Sequence, residues 1–140
     1  MTYKFEQLEV WQLSMEYIDS IYVLAENLPR SEDYNLKSQI VRAATSVALN
    51  IAEGSTGQTD AEQARFLGMA IRSLIETVAC QHLIRRRHYV IDESLINIAY
   101  SQSQILARKL QAFRKSLVPA SSRIREEEAP YSSETDKSQL

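Results

Sequence analysis

Between residues 8 and 25 the apolar positions Leu8, Trp11, Met15, Ile18, Tyr22 and Ala25 recur at steps of three and four. That spacing places them on one face of a helix. Pro29 and the polar run Arg30-Ser31-Glu32-Asp33 end the segment. A second segment runs from about Leu36 to Glu53, with Ile40, Ala44, Val47 and Ile51 on one stripe. Gly54 is expected to close it as a left-handed C-cap, where the missing Cβ removes a steric cost. The third segment opens at Thr59-Asp60-Ala61-Glu62, which fits the S/T-x-x-E capping box, and continues through Phe66, Ala70, Ser73, Thr77, Cys80 and Ile84. Asp92 is the expected N-cap of a fourth, carrying Leu95, Ala99, Gln102, Leu106, Phe113 and Leu117 before Pro119 stops it. No stretch alternates with the period of a strand. The reading is all-α: an antiparallel up-down-up-down four-helix bundle over residues 1–118. Residues 119–140 are Ser- and charge-rich with few apolar positions, too few to offset the entropy of ordering, and are expected to be a disordered tail.

Two segments carry more apolar surface than one stripe. The first has a second row at Val10, Tyr17, Ile21, Leu24 and Leu28, and the third has Leu67, Ile71, Leu74 and Val78. A bundle helix needs one stripe of roughly 100°. The surplus predicts self-association, with a wide monomer core as the alternative. The second segment is rich in small residues (Ala43, Ala44, Thr45, Ser46, Ala48, Ala52), so a neighbouring helix can approach closely. Within it Arg42, Asn50 and Glu53 fall in one sector, since Asn50 is about 80° and Glu53 about 20° from Arg42. Along the axis Glu53 is too far from Arg42 to pair within the chain. Its expected partners are Glu76 on the third segment or Glu53 of a neighbouring copy, which the spacing alone does not separate. We read the strip as an assembly seam rather than a catalytic one.

Composition narrows the function. The chain has 16 Lys+Arg and 18 Asp+Glu, a formal charge of −2. Residues 1–118 hold thirteen of each sign, so the body is neutral and the tail carries the deficit. Indiscriminate nucleic-acid binding needs a basic excess that this body lacks. Cys80 is the single cysteine, which excludes an intramolecular disulfide and a cysteine zinc cluster. With no apolar signal core and no run near the ~18 apolar residues of a membrane span, the expectation is a cytoplasmic protein with no membrane contact. GSTG at 54–57 lacks the lysine, the spacing and the preceding strand of a phosphate loop. His82 and His88, six apart, sit about 120° off a common helix face and make poor joint metal ligands. No nucleophile–base pair or carboxylate dyad emerges, so neither catalysis, metal nor cofactor is expected.

Arg85-Arg86-Arg87-His88 is the densest basic run. Cations at a helix C-terminus complement the macrodipole and the last free carbonyls. Arg108 and Lys109 on the fourth segment join them as candidate nucleic-acid contacts. Arg114 and Lys115 fall at the opposite end of an antiparallel hairpin. The seven tyrosines are scattered and form no stacking platform.

Three runs together resemble the four-helix-bundle proteins encoded in intervening sequences of bacterial 23S ribosomal RNA genes. They are FEQLEVWQ at Phe5–Gln12, SQIVRAATSVALNIAEG at Ser38–Gly54 and ARFLGMAIRSLIE at Ala64–Glu76. The resemblance covers roughly residues 5–116. It departs where a proline is common within the stretch reading SVALN here, and where Arg72 replaces a glycine. It implies a homo-oligomer, typically a ring of five, and makes Arg42, Asn50, Glu53 and Gly54 motif residues. The accessory proteins of diversity-generating retroelements resemble it distantly and are strongly basic; they imply reverse transcriptase and nucleic acid as associates. Two functions follow. One is an oligomeric nucleic-acid or ribonucleoprotein accessory factor contacting RNA or DNA through Arg85, Arg86, Arg87, Arg108 and Lys109. The other is a scaffold for a protein partner, such as a polymerase, without nucleic-acid contact.

Overall fold

The computed structural model describes residues 2–57 and 59–119. Four helices carry the fold: α1 (Glu9–Glu26), α2 (Leu36–Gly54), α3 (Asp60–Arg86) and α4 (Ser94–Ser116), with 3-10 turns at Lys4–Gln7 and Arg30–Glu32. Each helix packs on the next and α4 returns to α1, closing an up-down-up-down bundle. The tail expected to be disordered lies, save Pro119, outside the described residues.

The caps explain the boundaries. The Thr59 hydroxyl accepts from the Glu62 amide at 3.1 Å, as its capping motif predicts. Asp92 Oδ1 accepts from both the amide (3.0 Å) and the hydroxyl (2.6 Å) of Ser94, the first residue of α4. Those two bonds hold its carboxyl below the usual range, hydroxyl first. The left-handed residue is not a glycine but His88, at φ 56°, just past α3. There the Tyr89 amide reaches back to the Ile84 carbonyl at 3.3 Å, which satisfies a terminal acceptor.

Gly54 corrects an expectation. It is helical, and no described glycine has a positive φ. The chain leaves α2 through tight i→i+3 turns, Thr56 to Glu53 and Gly57 to Gly54, with no left-handed residue. What requires the glycine is packing: a Cβ there would lie 2.8 Å from the Phe66 Cβ of α3. The small residues of α2 do the same along the seam, where Ala43, Ala44 and Ala48 are buried and Ser46 Oγ meets Ser73 Oγ at 2.9 Å.

The two stripes of α1 exchange roles. Val10, Tyr17, Ile21, Leu24 and Leu28 form the core, while Met15 (43% exposed) and Tyr22 (46%) face outward. Both rows are apolar and about 100° apart, so periodicity cannot rank them. A polar anchor decides. Gln81 Nε2 donates to the Tyr17 hydroxyl (2.7 Å), which donates to Thr77 Oγ1 (2.7 Å), whose own hydrogen goes to the Leu74 carbonyl. This chain crosses the core from α1 to α3, all three side chains being buried. Burial, the largest cause, pushes the Tyr17 pKa to about 12 against the bonds from Thr77 and Gln81. On α3 the second row is consumed within the monomer: Leu67, Ile71 and Leu74 are buried beside Ala70, Thr77 and Ile84. The wide core accounts for that row of α3, whereas the outer row of α1 keeps Met15 and Tyr22 exposed.

Candidate basic and assembly sites

The run at the end of α3 is largely used by the fold. Arg85 Nη1 reaches Glu93 Oε1 and its Nη2 reaches Asn97 Oδ1, both at 2.8 Å, tying α3 to the first turn of α4. The Arg87 guanidinium lies 5.8 Å from the Tyr89 ring centroid. The Tyr89 hydroxyl donates to Glu32 Oε2 at 2.7 Å, and Glu32 Oε1 accepts from the Leu36 amide at 3.2 Å. Glu32 therefore has a lowered pKa, chiefly from Tyr89 and then from Leu36, and Arg87 a raised one, chiefly through Tyr89. Among the described residues Arg85 is the arginine of the run that makes an ion pair, with Glu93, while Arg87 faces the Tyr89 ring instead.

Arg108 and Lys109 do not join them. Arg108 is fourteen residues along α4 from Ser94, a rise of about 21 Å at ~1.5 Å per residue. Lys109 pairs with Glu9 of α1 at 3.2 Å. The five candidates are thus brought to no common surface.

The proposed seam on α2 separates as well. Arg42 turns to Glu76 of α3 at 3.6 Å, in an exposed pair. Asn50 donates to the Ser46 carbonyl (2.9 Å) and Oγ (3.0 Å), extending the Ser46–Ser73 contact toward the end of α2. Glu53 is exposed with no ion pair among the described residues. Arg42 and Asn50 each find a nearer partner than the next residue along the strip.

A basic groove lies elsewhere, between the first half of α3 and the end of α4. Arg65, Gly68, Met69, Ile71, Arg72, Gln111 and Arg114 line a cavity of about 380 Å³. Arg65 and Arg72 are seven apart, two turns along one face, with Gly68 between them. Arg114 crosses over Gly68: a Cβ on that glycine would meet Arg114 Nε at 3.4 Å. The sequence carried the signal as Arg-x-x-Gly-x-x-x-Arg on α3. It did not carry the third member, because Arg114 arrives from another helix.

For chemistry, Cys80 is buried and its thiol is raised by burial first and Glu76 second, the behaviour of an unreactive core cysteine. His82 lies edge-on to Tyr100, with centroids 6.0 Å apart. Among the described residues no three His, Cys, Asp or Glu stand close enough to hold a metal ion, and no helix is long and apolar enough to cross a membrane.

With this geometry in hand, known proteins give a context. A solved structure from Bacteroides thetaiotaomicron, described as a protein of unknown function from the S23 ribosomal protein family, superposes with a TM-score of 0.69 at 25% identity. The match covers 76% of this chain and 98% of that one. No curated protein sequence matches. The family model described as "23S rRNA-intervening sequence protein" matches residues 6–112, through all four helices. On that match the chain belongs to the 23S rRNA-intervening sequence protein family.

Proposed function

We propose that the protein is a non-enzymatic, self-associating bundle that serves as an accessory factor, working through the surfaces it repeats rather than through a reaction. The observation that carries this is the outer row of α1. Met15 and Tyr22 are exposed, and Trp11 and Ile18 are half-buried on the same side. The Phe5 ring, at 4.6 Å edge-on, covers Trp11 only. Tyr22 leads into a groove of about 490 Å³ shared with Tyr34, Val41 and Arg42. A second copy of the chain is the occupant that fits, because the family resemblance implies a ring. In such a ring Glu53, exposed on the outside of α2, is placed to compete with Glu76 for a neighbour's Arg42. Mass-resolved light scattering over a dilution series tests the assembly. Wild type is expected to remain multimeric where Tyr22→Glu dissociates with its helicity intact. A monomeric wild type at every concentration rejects the reading.

What the assembly serves is open to two readings. For nucleic acid, a ring multiplies each small basic surface and thereby raises a modest affinity. For a protein partner such as a polymerase, the ion pairs of Arg85 and Lys109 count in favour, since they engage two of the five expected contacts within the fold. Binding to structured RNA between low and moderate salt separates them, because phosphate contacts weaken steeply as salt rises. Affinity that falls with salt supports the accessory-factor reading. Absence of binding at low salt leaves the protein scaffold.

A further inference from the structure

The buried Tyr17–Thr77–Gln81 chain ends in an acceptor that no described residue answers. Its hydrogens fix which atom that is. The Thr77 hydroxyl gives its hydrogen to the Leu74 carbonyl, so the Tyr17 hydroxyl gives its own to Thr77. The Tyr17 oxygen is then the acceptor, and Gln81 meets it with Nε2. That leaves Gln81 Oε1 on the other edge of the amide, buried and without a hydrogen-bond partner among the described residues. Gln81 also lines a cavity of about 90 Å³ between α3 and α4, together with His82, Arg85, Ile96 and Tyr100. We propose that this cavity is a binding site for a small neutral hydrogen-bond donor, held on Gln81 Oε1.

Buried polar atoms in folded proteins nearly always have a partner, because an unmade bond forfeits the hydration the group had in the unfolded chain. Gln81 is 1% exposed, so its oxygen can be answered only from within the cavity. The volume is several times the ~10–15 Å³ that one water needs, and well below the ~300–1,000 Å³ of drug-sized sites. The occupant is therefore a molecule of a few heavy atoms, or a small group of waters.

Charge narrows the class. A carboxylate or phosphate anion has no hydrogen to give Oε1. A cation is opposed by Arg85 in the cavity wall, whose fork is held on Glu93 and Asn97 at 2.8 Å. Ile96 supplies an apolar wall, and the Tyr100 ring stands edge-on to His82 with centroids 6.0 Å apart. One O–H or N–H on a small apolar body suits all of these. Two sources present it: solvent water, and a short alcohol or amide. A donor on Oε1 also polarises the amide and strengthens the Nε2 bond to Tyr17, so binding beside α4 reaches α1 through the core. The site rests on neither the assembly nor the partner reading above.

Isopropanol and acetone share one skeleton, but only the alcohol donates. Titrating each into the full-length, nitrogen-15-labelled chain at sub-denaturing concentration, with amide chemical shifts as readout, tests the site. Saturable shifts at Gln81, His82 and Tyr100 are expected with isopropanol, and at least tenfold weaker binding with acetone. Gln81→Met keeps the length of the side chain, removes the acceptor and should abolish binding. It also cuts the bond to Tyr17, so circular dichroism checks its fold. Tyr100→Ala, at a position 38% exposed, opens the wall without touching that bond and should weaken binding at least fivefold. Leu83→Ala, exposed on α3, should leave it unchanged. Oxygen-17 relaxation dispersion counts long-lived waters in the same proteins. If isopropanol binds as described, the site admits a small organic donor. If it does not, but a long-lived water is present in wild type and lost in Tyr100→Ala or a folded Gln81→Met, the donor is solvent. Acetone binding as well as isopropanol, unchanged isopropanol binding by Tyr100→Ala or by a folded Gln81→Met, or neither ligand nor long-lived water in wild type, overturns the site.

Discussion

Helix α3 has a glycine contact on each flank, and the two are built to opposite ends. Toward α2 the contact is closed: the Gly54 position lies 2.8 Å, Cβ to Cβ, from Phe66, and Ser46 and Ser73 touch at 2.9 Å. Toward α4 it is open: the Gly68 position meets only the flexible end of Arg114, at 3.4 Å, beneath a groove of about 380 Å³. A small residue facing backbone-proximal atoms shortens the distance between helices and excludes everything else. Facing a charged tip across a gap, the same residue leaves room. One glycine is therefore a packing residue and the other a surface feature.

The largest expected effect tests the closed flank. Gly54→Leu should cost about 3 kcal/mol or more, at the upper end of overpacking, because the Phe66 Cβ cannot move without α3. Gly68→Ala should cost nothing and is expected to add up to ~1 kcal/mol, since alanine favours a helix interior and the new contact is ordinary van der Waals. Urea unfolding midpoints compare them directly. Equal losses at the two positions would break the distinction.

Between the flanks runs the buried Tyr17–Thr77–Gln81 chain, which both must hold in register. Its signature is alkaline. The Tyr17 pKa stands at about 12 in the folded state against 10.0 for the free group, so the folded state keeps a proton that the unfolded chain gives up. Stability is full below pH 10 and falls as pH rises toward 12, by roughly 2–3 kcal/mol for a shift of about two units. Tyr17→Phe should remove that part of the alkaline loss. At neutral pH it should cost ~1–3 kcal/mol, because Gln81 and Thr77 lose a buried partner. Denaturation at pH 9, 10 and 11 for both proteins checks the sign. Parallel curves would mean that Tyr17 is not the titrating group.

Much of this architecture is legible in the chain. Four periodic segments, the Thr59 cap and the stop near Pro119 all follow from local chemistry, which is why they agree with the structure. Steps of three and four do not say which of two apolar rows on α1 faces inward, since that depends on Thr77 and Gln81, sixty or more residues away. Gly54 was legible as a special position but not for its reason, because a C-cap and a close approach both call for the absence of a side chain. The groove was half legible: Arg65 and Arg72 share a face in the sequence, whereas Arg114 joins them only through tertiary packing. The left-handed position gave no signal at all, because it is filled by His88. Glycine there is expected to add about 0.5–1 kcal/mol by relieving the Cβ. An unchanged melting temperature for His88→Gly would show that the end of α3 adapts without strain.

The smallest expected effect concerns the ion pairs that bridge each flank. Arg42–Glu76 spans the closed side at 3.6 Å with side chains 70% and 44% exposed. Packing already fixes that side, and water screens the pair. Glu76→Gln should change stability by no more than ~0.5 kcal/mol. Arg85 spans the open side with both ends of its fork engaged, on Glu93 and on Asn97, each at 2.8 Å. A fork held at two points loses less entropy per bond and fixes the angle between helices that do not close on each other. Glu93→Gln should therefore cost more, about 1 kcal/mol, and lose most of its effect in high salt. If removing Glu76 proves the costlier change, the closed flank depends on charge as well as on close approach, and the contrast between the two sides of α3 narrows to the glycines alone.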